Sequence, residues 1–196
     1  MNAAAATGDL RLPFAFGDGT PAAGTGVVRP WRRSDRESLL RHADDADVAR
    51  FLSTRFPHPS TPADADAWFA SVEAQGEPEA LAIEVDGEAV GGVGLRRSGD
   101  AEFAHSAELG YWLGQAYWRR GIVAAAVAVF VPFAVTRWNL ARLTAYANPR
   151  NVGSVHVLEG AGFVREGLMR ARAVRGGEVH DHLVYGRVEP SRLPGR

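Results

Sequence analysis

Residues 107–135 constrain the fold most strongly. Residues 107–113 alternate as a strand does, a short loop follows, and Gly121 opens a long helical stretch over 121–135. A strand turning into an apolar helix calls for a sheet with helices packed on its faces. The run from Ile122 to Val135 is the longest apolar one. It is interrupted by Pro132 and too short to span a bilayer. Pro132 removes a backbone donor and crowds the preceding turn, which predicts a kink or break within one turn of it.

The rest of the chain agrees with a mixed sheet. Residues 1–26 are rich in Ala, Gly, Thr and Pro and read as an irregular arm, with room for one strand over 10–16. The compact domain then runs over 27–190, and 191–196 form a tail. Residues 27–31 read as a strand. Ser34, with Glu37 three residues on, predicts a capping box for a helix carrying Leu39 and Leu40. A short helix is expected around 48–52, and Thr61-Pro62 caps another with Trp68, Phe69 and Val72 on one face. Asp86-Gly87 is a hairpin turn between alternating runs at 81–85 and 90–95. A strand over 140–146, a helix over 152–159 closed by Gly160 or Gly162, and two strands flanking Arg175-Gly176-Gly177 complete the chain. The order is βααα-βββ-α-β-α-ββ, without internal repeats.

Composition removes several chemistries. The sequence has 196 residues, 46% of them hydrophobic, with a net charge of -1. That charge gives no global field for nucleic acid or anionic lipid. With no cysteine, disulfides, thiolate metal sites and a cysteine nucleophile are impossible. With no lysine either, a Schiff base and a Walker-type phosphate lysine are excluded. Heavy use of Ala, Gly, Arg and Pro fits a GC-rich bacterial genome. The N-terminus lacks the basic and apolar regions of a signal peptide, so the chain is read as cytoplasmic.

Two segments carry chemistry. In the first, Glu108 to Leu113 lead into Tyr117-Trp118-Arg119-Arg120-Gly121-Ile122-Val123-Ala124. The first turn of a helix has unpaired N–H groups and a partial positive charge, which suit a pyrophosphate. The structural alternative is a tight strand-to-helix turn at Gly121. The second is Asn148-Pro149-Arg150-Asn151-Val152-Gly153-Ser154, continuing through Leu158-Glu159-Gly160-Ala161-Gly162-Phe163.

Together these resemble the GNAT superfamily of N-acyltransferases, and most closely its RimJ/RimL-like branch. The first is similar to the pyrophosphate loop Q/R-x-x-G-x-G/A. The second is similar to the branch's N-x-x-S…L-E-x-x-G-F segment. Val28-Arg29-Pro30-Trp31 and Phe56-Pro57…Asp64…Trp68 agree with the same branch. The likeness covers about residues 27 to 188. Trp118 stands where the loop has Gln or Arg, Val123 where it has Gly or Ala, and Leu158 where many members have a tyrosine acid.

The resemblance implies an α/β (α+β) fold, a mixed central sheet of about seven strands splayed around the acetyl-CoA site, with helices on both faces. It implies transfer of acetyl from acetyl-CoA, without a metal, to a peptide N-terminus or small-molecule amine by direct attack. The alternative is a non-catalytic acyl-CoA-binding module. The expected cofactor residues are Trp112, Leu113, Trp118, Arg119, Arg120, Gly121, Ile122, Val123, Ala124 and Asn151. Ser154, one turn before Leu158, is the expected acid and Glu108 the expected base, against structural readings as a backbone-bonded serine and an arginine-paired carboxylate. No nucleic-acid or membrane partner is expected, and the chain is read as a monomer or homodimer. His180 and His182 share a strand face but lack a third ligand for zinc. His58 is an acceptor-contact candidate or a solvated loop residue. A dinucleotide-binding oxidoreductase fails because Gly92-Val93-Gly94 lacks the third glycine and no helix follows.

Overall fold

The computed structural model describes residues 10–17, 23–52, 57–74 and 79–193. The strands are β1 (Leu12–Phe16), β2 (Gly24–Pro30), β3 (Ala80–Val85), β4 (Glu88–Arg97), β5 (Ser106–Leu113), β6 (Arg142–Ala147), β7 (Val164–Arg175) and β8 (Glu178–Val188). The helices are α1 (Arg36–Ala43), α2 (Ala46–Ala49), α3 (Pro62–Glu73), α4 (Ile122–Arg137) and α5 (Val152–Gly160). The strands form one mixed sheet in the order β1-β2-β3-β4-β5-β6-β8-β7.

The chain divides into two compact units. One comprises Met1–Gly94 with Tyr111–Ala126, the other Leu95–Gly110 with Val127–Arg196. In the first, β1, β2, β3 and β4 form antiparallel neighbours. The β3–β4 turn has Asp86 and Gly87 both at positive φ, 52° and 82°, as the hairpin signal predicted. In the second, β5 and β6 pair in parallel over Ser106↔Arg142, Ala107↔Leu143 and Glu108↔Thr144. There the ladder stops, although both strands run on. β8 pairs antiparallel with β6 and with β7.

Residues 12–16 form the strand for which the arm had room, and residues 24–26 extend the strand expected over 27–31. Phe14 and Phe16 are 7% and 4% exposed and face Gly26 and Gly24 across the ladder. A Cβ on Gly26 would lie 2.4 Å from the Phe14 ring. The glycines make room for the rings, and burying the rings holds the strand in place. Met1 to Asp9 lie outside the described residues, as do Arg55 and Phe56 of the expected Phe-Pro segment.

Two local expectations are corrected. Ser34 does not cap α1: it is exposed within a short 3-10 turn, Arg33–Asp35. Asp35 occupies the N-cap position of α1 but makes no side-chain bond to that helix; its carboxylate accepts the Arg32 N–H at 2.8 Å and so closes the 3-10 turn. Its carboxylate also holds Arg29, 2% exposed, through bonds of 2.7 and 2.9 Å. A buried guanidinium needs a carboxylate partner, and that need selects Asp35 over the neutral serine. Second, of the kink or break expected at Pro132, the break is absent: α4 continues past it to Arg137. Ala124, Ala128, Pro132 and Thr136 form its exposed stripe. The carbonyl that Pro132 leaves without a donor, that of Ala128, therefore sits on the wet side, where water can satisfy it.

Elsewhere local chemistry and structure agree. Thr61 and Asp64 complete a reciprocal capping box for α3. Asp45 caps α2 through the Asp47 and Val48 amides, which starts that helix two residues before the expected position. Gly162, with φ of 80°, follows α5. The basic partner in every described ion pair is an arginine or a histidine.

Candidate active site

The loop after β5 is held from both ends. Gly114 N–H donates to Val90 O at 2.8 Å. A 3-10 turn, Gln115–Tyr117, then leads to Trp118, whose indole N–H donates to Leu113 O at 2.7 Å. Trp118 spends its single donor there and packs its ring against the cluster of Leu39, Ala43, Val48, Phe69 and Trp112. It positions the loop.

Two residues of this loop have left-handed backbone: Arg119 with φ of 61° and Gly121 with φ of 76°. At Gly121 this is the conformation glycine adopts freely; at Arg119 it carries a cost. The helical ladder begins with Ala125 N–H to Gly121 O at 3.0 Å, so the amides of Ile122, Val123 and Ala124 precede it. Among the described residues, an ideal Cβ on Gly121 would meet only Gly17 N, 3.7 Å away. Beside this turn the Arg120 guanidinium lies over the rings of Phe16 and Tyr117, at 5.3 and 5.6 Å. Its Nε is buried with no hydrogen-bond partner among the described residues. A buried donor left unpaired costs free energy, and a phosphate oxygen is the kind of group that would relieve it. First-turn amides and a guanidinium donor unmet among the described residues therefore fit a pyrophosphate.

Upstream, Trp112 is 8% exposed and stacks on Trp31 with ring centroids 6.3 Å apart. Leu113 is 6% exposed. Their side chains are core, so only their backbone remains to address a ligand. Trp112, Leu113 and residues 118–124 all lie in the first unit, whereas Glu108, Asn151 and Ser154 belong to the second.

In that second unit Asn151 caps α5 by accepting the Ser154 N–H at 3.1 Å, a local job that engages its side-chain oxygen. Ser154 is half-buried and shares a helix face with Leu158, which is 1% exposed. The Glu108 carboxylate is paired with Arg96, the structural partnership weighed against a base role. Alternation along the paired strands puts Glu108, Thr144, Tyr146, Val184 and His182 on one sheet face.

The last hairpin holds a feature that alternation did not predict. Met169 pairs with His182 and Ala173 with His180, so three residues of β7 oppose Asp181 alone. Ala171 there has φ of 50°, and its N–H donates to the Asp181 carboxylate at 2.8 Å. The bulge lays Arg172 over the Tyr146 ring at 4.4 Å. Read as a flat strand, Arg170-Ala171-Arg172-Ala173 puts both arginines on one face; an Asp opposite an Ala is the faint signal of the bulge. His180 Nδ1 lies 3.3 Å from the Asn148 amide nitrogen. Burial, then Arg172 and His180, hold His182 below the usual histidine range. His58 Nδ1 is 2.7 Å from the carboxylate of Asp44, the residue that ends α1.

Residues 27–164 match the family described as acetyltransferase (GNAT) domain. The chain belongs to the GNAT family of acetyltransferases. Among solved GNAT structures, RimJ of Mycobacterium smegmatis, in complex with CoA-disulfide, superposes with a TM-score of 0.77 at 27% identity, over 95% of this chain and 90% of that one. Ribosomal-protein-S5-alanine acetyltransferase from Vibrio fischeri does so at 0.72 and 26% identity, over 86% and 96%. Probable N-acetyltransferase YjcK of Bacillus subtilis is 39% identical over 85 residues, 43% of this chain and 47% of that protein. The matched region therefore spans about half of that relative. Family and fold together support acetyl-CoA-dependent acetyl transfer as the general chemistry of this GNAT chain. Among its described residues no helix is long and apolar enough to cross a membrane. Nor, among them, do three His, Asp or Glu side chains gather into a metal-binding group.

Proposed function

We propose that this GNAT chain transfers acetyl from acetyl-CoA to a primary amine, as a RimJ/RimL-like N-acetyltransferase. The observation that carries this reading is the loop before α4, where left-handed backbone at Arg119 and Gly121 accompanies the unmet Arg120 Nε donor. The likeness to RimJ, solved with CoA-disulfide, supports it. In this reading Arg120 and the amides of residues 121–124 hold the pyrophosphate, and the backbone at Trp112 and Leu113 holds the pantetheine arm. Arg119 shapes the turn and Trp118 ties it to β5. Asn151 acts on the cofactor only through the α5 cap.

Acetyl-CoA supplies an activated acyl group. The amine nitrogen attacks the thioester carbon, a C–N bond forms and the C–S bond breaks. The amine's proton leaves to Glu108, directly or through water, and Ser154 protonates the departing thiolate. No side chain here is an evident covalent carrier, so the attack is direct.

Gly121→Glu tests the loop. It places bulk and negative charge where the phosphates would sit. Calorimetry should show acetyl-CoA binding weakened at least about tenfold, roughly 1.4 kcal/mol. Unchanged affinity in a folded variant would move the site elsewhere. Acetyl-CoA binding without turnover across a panel of peptides and small amines would instead make the chain a binding module.

A further inference from the structure

The sheet face that carries Glu108 also carries a charge pattern that the acetyl-transfer reading does not use. Two of its arginines are neutralised: Arg96 by Glu108 and Arg142 by Glu166. The third, Arg172, has its guanidinium carbon 4.4 Å from the centre of the Tyr146 ring, and no ion pair or hydrogen bond of its guanidinium is formed among the described residues. The acid nearest in sequence pairing, Asp181, is occupied with the Ala171 N–H.

That arrangement is costly to build. Three residues of β7 opposite one of β8, with a non-glycine residue in left-handed backbone, store local strain. Bulges of this kind re-aim a side chain, often beside an active site. What this one re-aims is Arg172. The carboxylates that act on neighbouring His182, Glu108 and Asp181, are each engaged elsewhere, with Arg96 and with the Ala171 N–H; His180 bonds towards Asn148. Glu108 pairs with Thr144, and Tyr146 is two residues further along β6. Their backbones are thus about 8 Å apart, from the usual strand rise and spacing. A molecule with an amine at one end and an acid group a few bonds away spans such a distance once both side chains lean in.

We propose that the acceptor is an amine that also bears a carboxylate, and that Arg172, braced on Tyr146, binds that carboxylate while the amine lies towards Glu108. This rests on the acetyl-transfer reading and narrows its substrate class. A planar guanidinium whose fork of donors is unpaired among the described residues is suited to a carboxylate, and a polycationic acceptor would meet it with repulsion.

The test compares matched acceptors that differ only by carboxylate against carboxamide. One arm uses Asp-Ala-amide against Asn-Ala-amide, the other a free α-amino acid against its amide, with spermidine as the cationic control. The carboxylate member should win by at least about tenfold in kcat/KM in one arm, a difference of roughly 1.4 kcal/mol. The arm that responds identifies peptide or free amino acid. Arg172→Gln should bring the pair to parity while acetyl-CoA affinity by calorimetry stays unchanged. Arg172→Lys, which keeps the charge but not the fork, should retain part of the preference. Equal rates for both members, a preference for spermidine, or a preference that survives Arg172→Gln would overturn the proposal. If the unaltered chain binds no acetyl-CoA at all, it is the acetyl-transfer reading that falls, and this inference with it.

Discussion

Glu108 and Ser154 are assigned proton transfers in opposite directions, and their variants should separate on a pH–rate profile. Glu108→Gln keeps the shape and removes the basicity. It should flatten the acidic limb and lower kcat roughly a hundredfold at neutral pH. Ser154→Ala should lower kcat about ten- to a hundredfold with little change in KM for acetyl-CoA, because its contact strengthens only as the thiolate forms. A profile unchanged by Glu108→Gln would reduce Glu108 to the partner of Arg96. A raised KM with intact kcat would make Ser154 a cofactor contact. At this scale the sequence was informative where residue type dictates backbone. Gly121 was legible because a left-handed turn before a helix favours glycine. Arg172 was not, because its direction depends on a bulge at Ala171 that is set by Asp181 on the facing strand.

Among the elements, α4 shows how exposure decides what a proline does. Pro132 occupies the one stripe of the helix that faces water, so the helix tolerates it without a break. Tolerance still leaves a missing bond. Pro132→Ala restores a donor to the Ala128 carbonyl and relieves the ring's crowding. It should stabilise the protein by about 1–3 kcal/mol, read as a higher midpoint in thermal or denaturant unfolding. A neutral or destabilising result would mean that the ring itself is packed. The elements were legible wherever short-range chemistry fixes them: the Thr61 cap, the Asp86-Gly87 turn and the Gly176-Gly177 turn. Ser34 misled because its competitor Asp35 is chosen by Arg29, a buried partner from a different element.

For the molecule as a whole, acid should weaken the fold in two stages. His182 titrates below the usual histidine range because of burial, Arg172 and His180. Between that depressed value and about 6.5, the unfolded chain binds the proton and the folded chain does not, so stability falls as pH drops through this window. The second stage lies lower. Hydrogen bonds from Thr61, Arg36, Arg33 and Arg142 hold Asp64, Asp66, Glu73 and Glu166 below the usual carboxylate range. Their contribution is present above about 4 and is lost as pH falls through the folded values. Melting temperature against pH should show both stages, and His182→Asn should remove the first alone. The mixed sheet was legible from the alternation of strands and helices. A strand over 10–16 was legible within the arm, but its place beside β2 was not, since only that pairing sets Phe14 and Phe16 against glycines. The arginine-and-histidine ion pairing has one further consequence. A protein that handles an acylating thioester is exposed to stray acylation of its own lysines, which erases their charge. Within these 196 residues no side chain is a primary amine. The salt bridges that brace this fold are therefore chemically deaf to the reagent it is proposed to carry.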